Sequence, residues 1–158
     1  MKLYRLDQRQ VLKITLEQAW AFFSNPRKLP EITPDWLSFN LLNDPPETMH
    51  PGMIIHYTVT PLLGLPLQWV SEITHVREPE FFVDEQRFGP YRFWHHQHHF
   101  KPVAEGTLVL DIVNYRLPLG PAGSLVHAAV VRRRLERIFD YRRQRLDEVH
   151  NIPAVDNH

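Results

Sequence analysis

Four histidines lie within five consecutive residues, at His95, His96, His98 and His99. Because successive side chains of an extended strand point to opposite faces, such a run would place two histidines on each face of a sheet. An imidazole held by a carboxylate in an apolar pocket can act as a general acid or base near neutral pH. Two imidazoles on one face could instead bind a metal ion together with a carboxylate.

The alternation of apolar and polar residues predicts which pair of histidines faces the interior. In 93–100 the even-numbered residues have a large apolar side chain at each end, so the inward set is Trp94, His96, His98 and Phe100. The segment 81–88 has the same form, with the inward set Phe82, Asp84, Gln86 and Phe88. Two further segments contribute the inward candidates Trp69 and Ile73, and Ile55, Tyr57 and Val59.

The segment 107–117 does not show a clear orientation. Apolarity alone would turn Leu108, Leu110 and Ile112 inward, whereas the odd-numbered set contains Asp111 and Tyr115. The residues by themselves leave both orientations open.

Three roles are compatible with His96 and His98. They could satisfy nearby carboxylates by hydrogen bonding or anchor the polar end of a ligand. They could take part in proton transfer, or bind a metal ion that Asp84 or Asp111 completes. Because no third histidine and no paired-carboxylate motif is spaced with them, we expect no metal ion and no cofactor.

Short linkers of proline and glycine separate segments rich in β-branched and aromatic residues. The predicted strands are 37–43, 53–63, 67–77, 80–88, 93–103 and 107–117, after a first strand within 3–14. Linkers this short leave no room for crossover helices, so the strands should be antiparallel neighbours. Short helices are predicted at 16–24 and 26–32, and a long one over 124–149. We therefore expect one α+β domain over 1–150, followed by a tail at 151–158.

The long helix is predicted to be amphipathic. Its inner stripe is Leu125, Ala128, Val131, Leu135, Ile138, Arg142, Leu146 and Val149. The arginines between 132 and 145 alternate with acidic residues, so we interpret them as a solvated face with i,i+4 pairing.

The amino-acid composition argues against several classes of binding partner. Lysine and arginine number 18 and aspartate and glutamate also number 18, which leaves no net charge to attract nucleic acid or an anionic membrane. No run reaches the roughly 18 apolar residues of a membrane span. The absence of cysteine removes disulfides and thiolate metal sites. We expect a soluble, cytoplasmic protein that neither binds nucleic acid nor inserts stably into a membrane.

The order of strand, two short helices, six strands and long helix resembles that of the START-like superfamily, also called SRPBCC or helix-grip. Its ligand-binding, polyketide-cyclase-like branch is similar in the patterns Phe23-x-Asn25-Pro26, Phe82-x-Asp84-x-Gln86-x-x-Gly89-Pro90-Tyr91, Trp94-x-His96-x-His98-x-Phe100 and Asp111-x-Val113-x-Tyr115. The resemblance implies a curved antiparallel sheet of about seven strands around the C-terminal helix, with a cavity between them.

The resemblance also favours the odd-numbered set of 107–117 as the inward one. Leu108, Leu110 and Ile112 would then form an apolar strip on the outer face of the sheet. Such a strip predicts association into a homodimer through the outer face of 107–117.

The function that the resemblance implies is binding of a small hydrophobic or amphipathic molecule, such as a lipid. The expected ligand contacts are Tyr57, Trp69, Phe82, Asp84, Gln86, Trp94, His96, His98, Phe100, Asp111 and Tyr115. One alternative is a polyketide cyclase/dehydratase-type lyase or isomerase, with His98, Asp111 and Tyr115 as catalytic candidates. Another is a regulatory protein-interaction module. The resemblance leaves open whether any reaction is catalysed.

The turn after 93–103 decides how His98 meets Asp111. A two-residue turn at Ala104 and Glu105 places His98 directly opposite Asp111, whereas a turn one residue later makes them diagonal neighbours. In both cases His98 is the leading candidate for a ligand anchor or proton donor.

Overall fold

Seven antiparallel strands form one sheet in the computed structural model, which describes residues 2–61, 64–118 and 121–151, with side chains from 130 onward in the last range. The strands are β1 (Tyr4–Leu12), β2 (Asn40–Leu41), β3 (Ile54–Val59), β4 (Leu67–Arg77), β5 (Phe81–Phe88), β6 (Phe93–Val103) and β7 (Gly106–Arg116). Their order across the sheet is β1-β7-β6-β5-β4-β3-β2. The predicted α+β helix-grip fold is confirmed.

Helix α1 (Leu16–Phe23) begins as the sequence predicts. Thr15 Oγ1 accepts a hydrogen bond from the backbone N–H of Gln18, and Gln18 Oε1 accepts one from the N–H of Thr15. The second short helix, Pro26–Ile32, is a 3-10 helix rather than an α-helix. Its prolines, Pro26 and Pro30, have no N–H to donate, and Pro30 lies in the interior of the segment.

Several predicted boundaries differ from the structure, and the strand predicted over 53–63, for example, is Ile54–Val59. The segment 37–43 pairs only at Asn40–Leu41, because Asp35–Leu37 form a 3-10 turn that ends at Ser38 with a left-handed backbone. The last helix, α2 (Pro121–His150), begins three residues earlier than predicted. None of the described helices is apolar enough over a sufficient length to span a membrane. The predicted tail falls, apart from Asn151, outside the described residues.

The core lies between the inner face of the sheet and the helices, in two clusters. Around α1, Trp20 makes edge contacts with Phe82 and Phe100, at ring-centroid distances of 6.0 and 5.9 Å. Along α2, Leu135 and Phe139 pack with aromatic and aliphatic side chains of β3, β4, β6 and β7. A group of polar side chains lies between the two clusters on the inner face of the sheet.

The orientation of β7 agrees with the prediction from the resemblance. Its odd-numbered residues are buried, and Leu108, Leu110 and Ile112 are half-buried on the outer face. The β6–β7 turn pairs Val103 with Gly106 and therefore His98 with Asp111, as a turn at Ala104 and Glu105 predicts.

The predicted inward orientation of Phe88 is wrong, because its side chain is 63% exposed. Between β4 and β5, Val70 pairs with Phe88 while Ser71 pairs with Gln86, so Arg87 is an extra residue on β5. This bulge reverses the alternation and turns Phe88 to the outer face.

At Gly106, the backbone at the start of β7 lies very close to the backbone at the end of β1. Its φ of 138° is rare for residues with a side chain, and a Cβ there would overlap the carbonyl oxygen of Leu12. We expect Gly106→Ala to lower the free energy of unfolding by roughly 3 kcal/mol, measured by urea denaturation. Gly52→Ala is the control, because Gly52 also has a positive φ of 87° but has open space at its Cβ position. A loss at Gly106 no larger than at Gly52 would contradict the overlap.

Candidate functional site

A cavity of about 390 Å³ lies between the sheet and α2. Its walls are largely apolar and include Ile55, Tyr57, Trp69, Val131, Leu135 and Phe139. The Trp69 indole donates to Ser71 Oγ over 3.0 Å, so its polar atom is satisfied within the wall. The predicted cavity is therefore present, with room for a molecule larger than water.

One part of the cavity wall is polar, and strand register assembles it. The β5–β6 pairing places Asp84 opposite His96, and the β6–β7 pairing places His98 opposite Asp111. Arg142 reaches the same group from α2. Asp84, His96, His98 and Arg142 line the cavity, and Asp111 lies behind the imidazoles. We call these five residues the polar cluster.

Each carboxylate of the polar cluster contacts both imidazoles. His98 Nε2–H donates to Asp84 Oδ2 over 2.9 Å, and His96 Nε2–H donates to Asp111 Oδ1 over 3.0 Å. These two bonds are diagonal across the strands, and the directly opposite pairs are also close, with His96 Nδ1 3.3 Å from Asp84 Oδ2 and His98 Nδ1 3.0 Å from Asp111 Oδ1. His98 Nδ1 approaches at an angle that forms no hydrogen bond. The imidazole rings lie 3.7 Å apart, and Phe82 stacks on His98 at 4.2 Å.

Arg142 supplies a buried positive charge. Its Nη2 lies 3.6 Å from Asp111 Oδ1, and its guanidinium lies 5.4 Å from the ring centre of Phe23. The Nε–H of Arg142 is buried and has no hydrogen-bond partner among the described residues. It is therefore a donor that a polar group in the cavity could satisfy.

Burial and neighbouring charges shift the pKa values of the two carboxylates in the polar cluster in opposite directions. Burial raises the pKa of Asp111, but the charge of Arg142 and the close contacts with both imidazoles outweigh it and hold this pKa well below its usual range. Burial likewise raises the pKa of Asp84, and the two histidines more than offset it, so the pKa is lowered.

The two histidines differ in the sign of their shifts. Burial lowers the pKa of His98, but Asp111 and Asp84 together raise it above its ordinary value. Burial and the charge of His98 lower the pKa of His96. The two directions favour the charged form of His98 over that of His96, beside the carboxylates of Asp84 and Asp111.

The structure brings most of the predicted ligand contacts to the cavity surface. They are Tyr57, Trp69, Phe82, Asp84, Trp94, His96 and His98. Four others lie elsewhere. Gln86 hydrogen-bonds the backbone of Tyr91, Phe100 packs under α1, and Asp111 lies behind the imidazoles. Tyr115 stacks on Tyr4 at 5.5 Å and packs behind the cavity-lining residues Tyr91 and Trp94.

Arg142 is the site residue to which the sequence interpretation gave two places. It belongs to the inner stripe of the helix and was also counted in the solvated arginine face, and the structure shows a side chain that is 11% exposed and faces Asp111. The sequence did contain a signal, because Arg142 interrupts the otherwise apolar inner stripe of the helix. A charged residue on such a stripe needs a buried partner of opposite sign, and Asp111 is that partner.

Comparisons with solved structures agree with this fold. The protein CV1439 of Chromobacterium violaceum aligns with a TM-score of 0.70 at 11% identity, covering 94% of this chain and 98% of that one. The major latex-like protein 151 of Panax ginseng aligns with a TM-score of 0.66 at 15% identity, covering 96% and 99%. At these identities the likeness concerns the fold alone.

Comparison of the sequence with curated proteins finds no match. The profile of one family does match, over residues 12–146, and its description is polyketide cyclase/dehydrase and lipid transport. The matched range includes both walls of the cavity and the whole polar cluster. The chain therefore belongs to the polyketide cyclase/dehydrase and lipid transport family.

Proposed function

We propose that this protein binds a small amphipathic molecule in the cavity between the sheet and α2. The cavity of about 390 Å³ carries the argument, because it falls within the 300–1,000 Å³ range of ligand sites. A void lined by apolar side chains lacks the contacts that close packing would supply, so an occupant would stabilise the fold. The family description, which includes lipid transport, also supports an apolar ligand.

The polar cluster supports an amphipathic ligand over a purely apolar one. Asp84, His98 and Arg142 reach the cavity from three different elements, while the remaining walls are mainly apolar. The unpartnered Nε–H of Arg142 favours a hydrogen-bond acceptor, such as a carbonyl or carboxylate oxygen, at the polar end of the ligand. The apolar part would then lie against Trp69 and Leu135.

A displacement titration tests this proposal. The fluorescent probe 1-anilinonaphthalene-8-sulfonate should bind at one site per chain, and medium-chain fatty acids should displace it. The corresponding alkanes have no acceptor group, so we expect them to displace it more weakly. Absence of saturable probe binding, or equal displacement by acids and alkanes, would contradict the amphipathic assignment.

We expect His98→Gln to weaken probe and fatty-acid binding by about tenfold, because the change removes an imidazole from the cavity wall and disturbs Asp84. The matched control is His99→Gln, on the same strand but facing outward, where the imidazole contacts Gln97. Circular dichroism should show both variants folded. Equal affinity of the two variants would remove His98 from the binding site.

The lyase alternative differs from binding in turnover. A ligand recovered unchanged after incubation supports binding, whereas conversion into a cyclised or dehydrated product supports the enzyme. Tyr115 does not line the cavity itself, but it packs on Tyr91 and Trp94, which do.

The homodimer through the outer face of 107–117 stays a prediction. Leu108, Leu110 and Ile112 are half-buried, because residues of β1 and β6 flank them on both sides. The apolar area open to a second copy is thus smaller than three fully exposed side chains would offer. Light scattering at high concentration, compared between the wild type and Leu110→Glu, tests the association.

A further inference from the structure

We propose that Asp84, His96 and His98 form a binding site for one divalent transition-metal ion of the zinc type, at the wall of the cavity. The three residues each offer one ligand atom within 4.8 Å of the others. The imidazole nitrogens that contact Asp84 Oδ2 are His96 Nδ1 and His98 Nε2, which makes these three the candidate ligand atoms. The site does not depend on the organic ligand proposed above, so each proposal can fail without the other.

The Asp84 carboxylate lies at metal-coordination spacing from both imidazoles. Asp84 Oδ2 lies 2.9 Å from His98 Nε2 and 3.3 Å from His96 Nδ1. A zinc ion with bonds of about 2.0–2.1 Å in tetrahedral geometry holds its ligand atoms about 3.3 Å apart. Both distances to Asp84 Oδ2 are therefore close to those of a shared ion, which would replace the proton between His98 and Asp84.

Asp111 is placed as a supporting residue for such a site. Its Oδ1 lies 3.0 Å from His96 Nε2 and 3.0 Å from His98 Nδ1, the ring atoms that point away from the ion. Imidazoles that bind metals commonly donate their other N–H to a carboxylate, which orients the ring and increases its basicity. His98 Nδ1, which has no hydrogen-bond partner now, would gain Asp111 after a small rotation of the ring.

The chemistry of the three atoms selects the class of ion. Two imidazoles and one carboxylate suit zinc, iron, cobalt or nickel in the divalent state, whereas calcium and magnesium prefer oxygen ligands. All three side chains line the cavity, so the remaining coordination positions would face it. A carbonyl or carboxylate group entering the cavity could occupy one of them.

The sequence offers this site only as an alternative, because its third ligand comes from another strand. His96 and His98 are two ligands, and Asp84 and Asp111 were both named as carboxylates that could complete them. We expected no metal ion because no third histidine and no paired-carboxylate motif is spaced with the two histidines. Asp84 joins them through the β5–β6 register, which pairs it with His96, and reaches His98 diagonally.

A titration of the full-length, chelator-treated protein tests the proposal. Competition with a chromophoric chelator should show one zinc ion bound per chain. Asp84→Asn and His98→Gln should each weaken zinc binding at least 100-fold, and Asp111→Asn about 10- to 100-fold. The controls His95→Gln and His99→Gln remove the outward imidazoles of the same strand and should leave zinc affinity unchanged.

X-ray absorption on the zinc-loaded wild type provides a test that needs no variant. Two imidazole nitrogens and at least one carboxylate oxygen in the coordination shell would support the site, even if an inner variant fails to fold. The proposal is overturned if the wild type binds no stoichiometric zinc. It is also overturned if removing His95 or His99 weakens zinc binding as much as removing Asp84.

Discussion

Asp111→Ala is expected to lower the free energy of unfolding by about 3–5 kcal/mol. The Asp111 side chain is 7% exposed, and its Oδ1 lies within 3.0 Å of both His96 and His98 and 3.6 Å from Arg142. Without it, the charge of Arg142 would stay buried with no carboxylate beside it, and His96 Nε2–H would lose its acceptor. Urea denaturation of the wild type and the variant measures the loss.

Asp7→Ala is the control for this prediction. Asp7 also pairs with an arginine, Arg5, but its side chain is 47% exposed, so its removal should cost at most about 1 kcal/mol. A second comparison removes both buried charges, in Asp111→Leu combined with Arg142→Met. We expect this double variant to lose less stability than the two single changes added together. A loss at Asp111 as small as at Asp7 would contradict the role of Asp111 as the carboxylate that offsets the buried charge of Arg142.

Leu135→Trp is expected to weaken binding of the fluorescent probe and of fatty acids by at least tenfold. Leu135 is 4% exposed and lines the cavity from α2, so an indole at this position would occupy part of the volume available to a ligand. Because the added atoms fill a void, we expect little loss of stability. The measurement is the affinity of the probe, followed by its own visible emission.

Val130→Trp tests whether the loss of probe affinity depends on where the tryptophan is placed or occurs with any added tryptophan on α2. Val130 lies on the same helix, is 47% exposed and does not line the cavity. The same substitution there should leave the affinity unchanged. If both variants bind the probe as the wild type does, the probe occupies another site and the cavity assignment is wrong.

The strand pattern was predictable because local chemistry determines it. The turn at Ala104 and Glu105 sets the register of the hairpin, and this register pairs His98 with Asp111. The outward turn of Phe88 was not predictable, since it depends on an extra residue, Arg87, opposite β4. A bulge is a property of two paired strands, and alternation within one strand does not reveal it.

The set of residues that forms the site was only partly predictable, because it too depends on how strands pair. Alternation along β6 indicated that His96 and His98 face inward, and both line the cavity. Their joint contact with Asp84 and Asp111 requires the pairing of three strands. The helical stripe indicates that Arg142 faces inward, but its contact with Asp111 requires in addition the docking of α2 on the sheet, which no local pattern determines.

Native mass spectrometry of the protein purified from its own host tests the central claim most directly. We expect wild-type chains to carry a non-covalent adduct with the mass of a small organic molecule. The fraction of chains that carry this adduct should be lower in Leu135→Trp and unchanged in Val130→Trp. Chains that carry no organic adduct, together with a wild type that shows no saturable binding of amphipathic probes, would contradict the claim that this cavity binds a ligand.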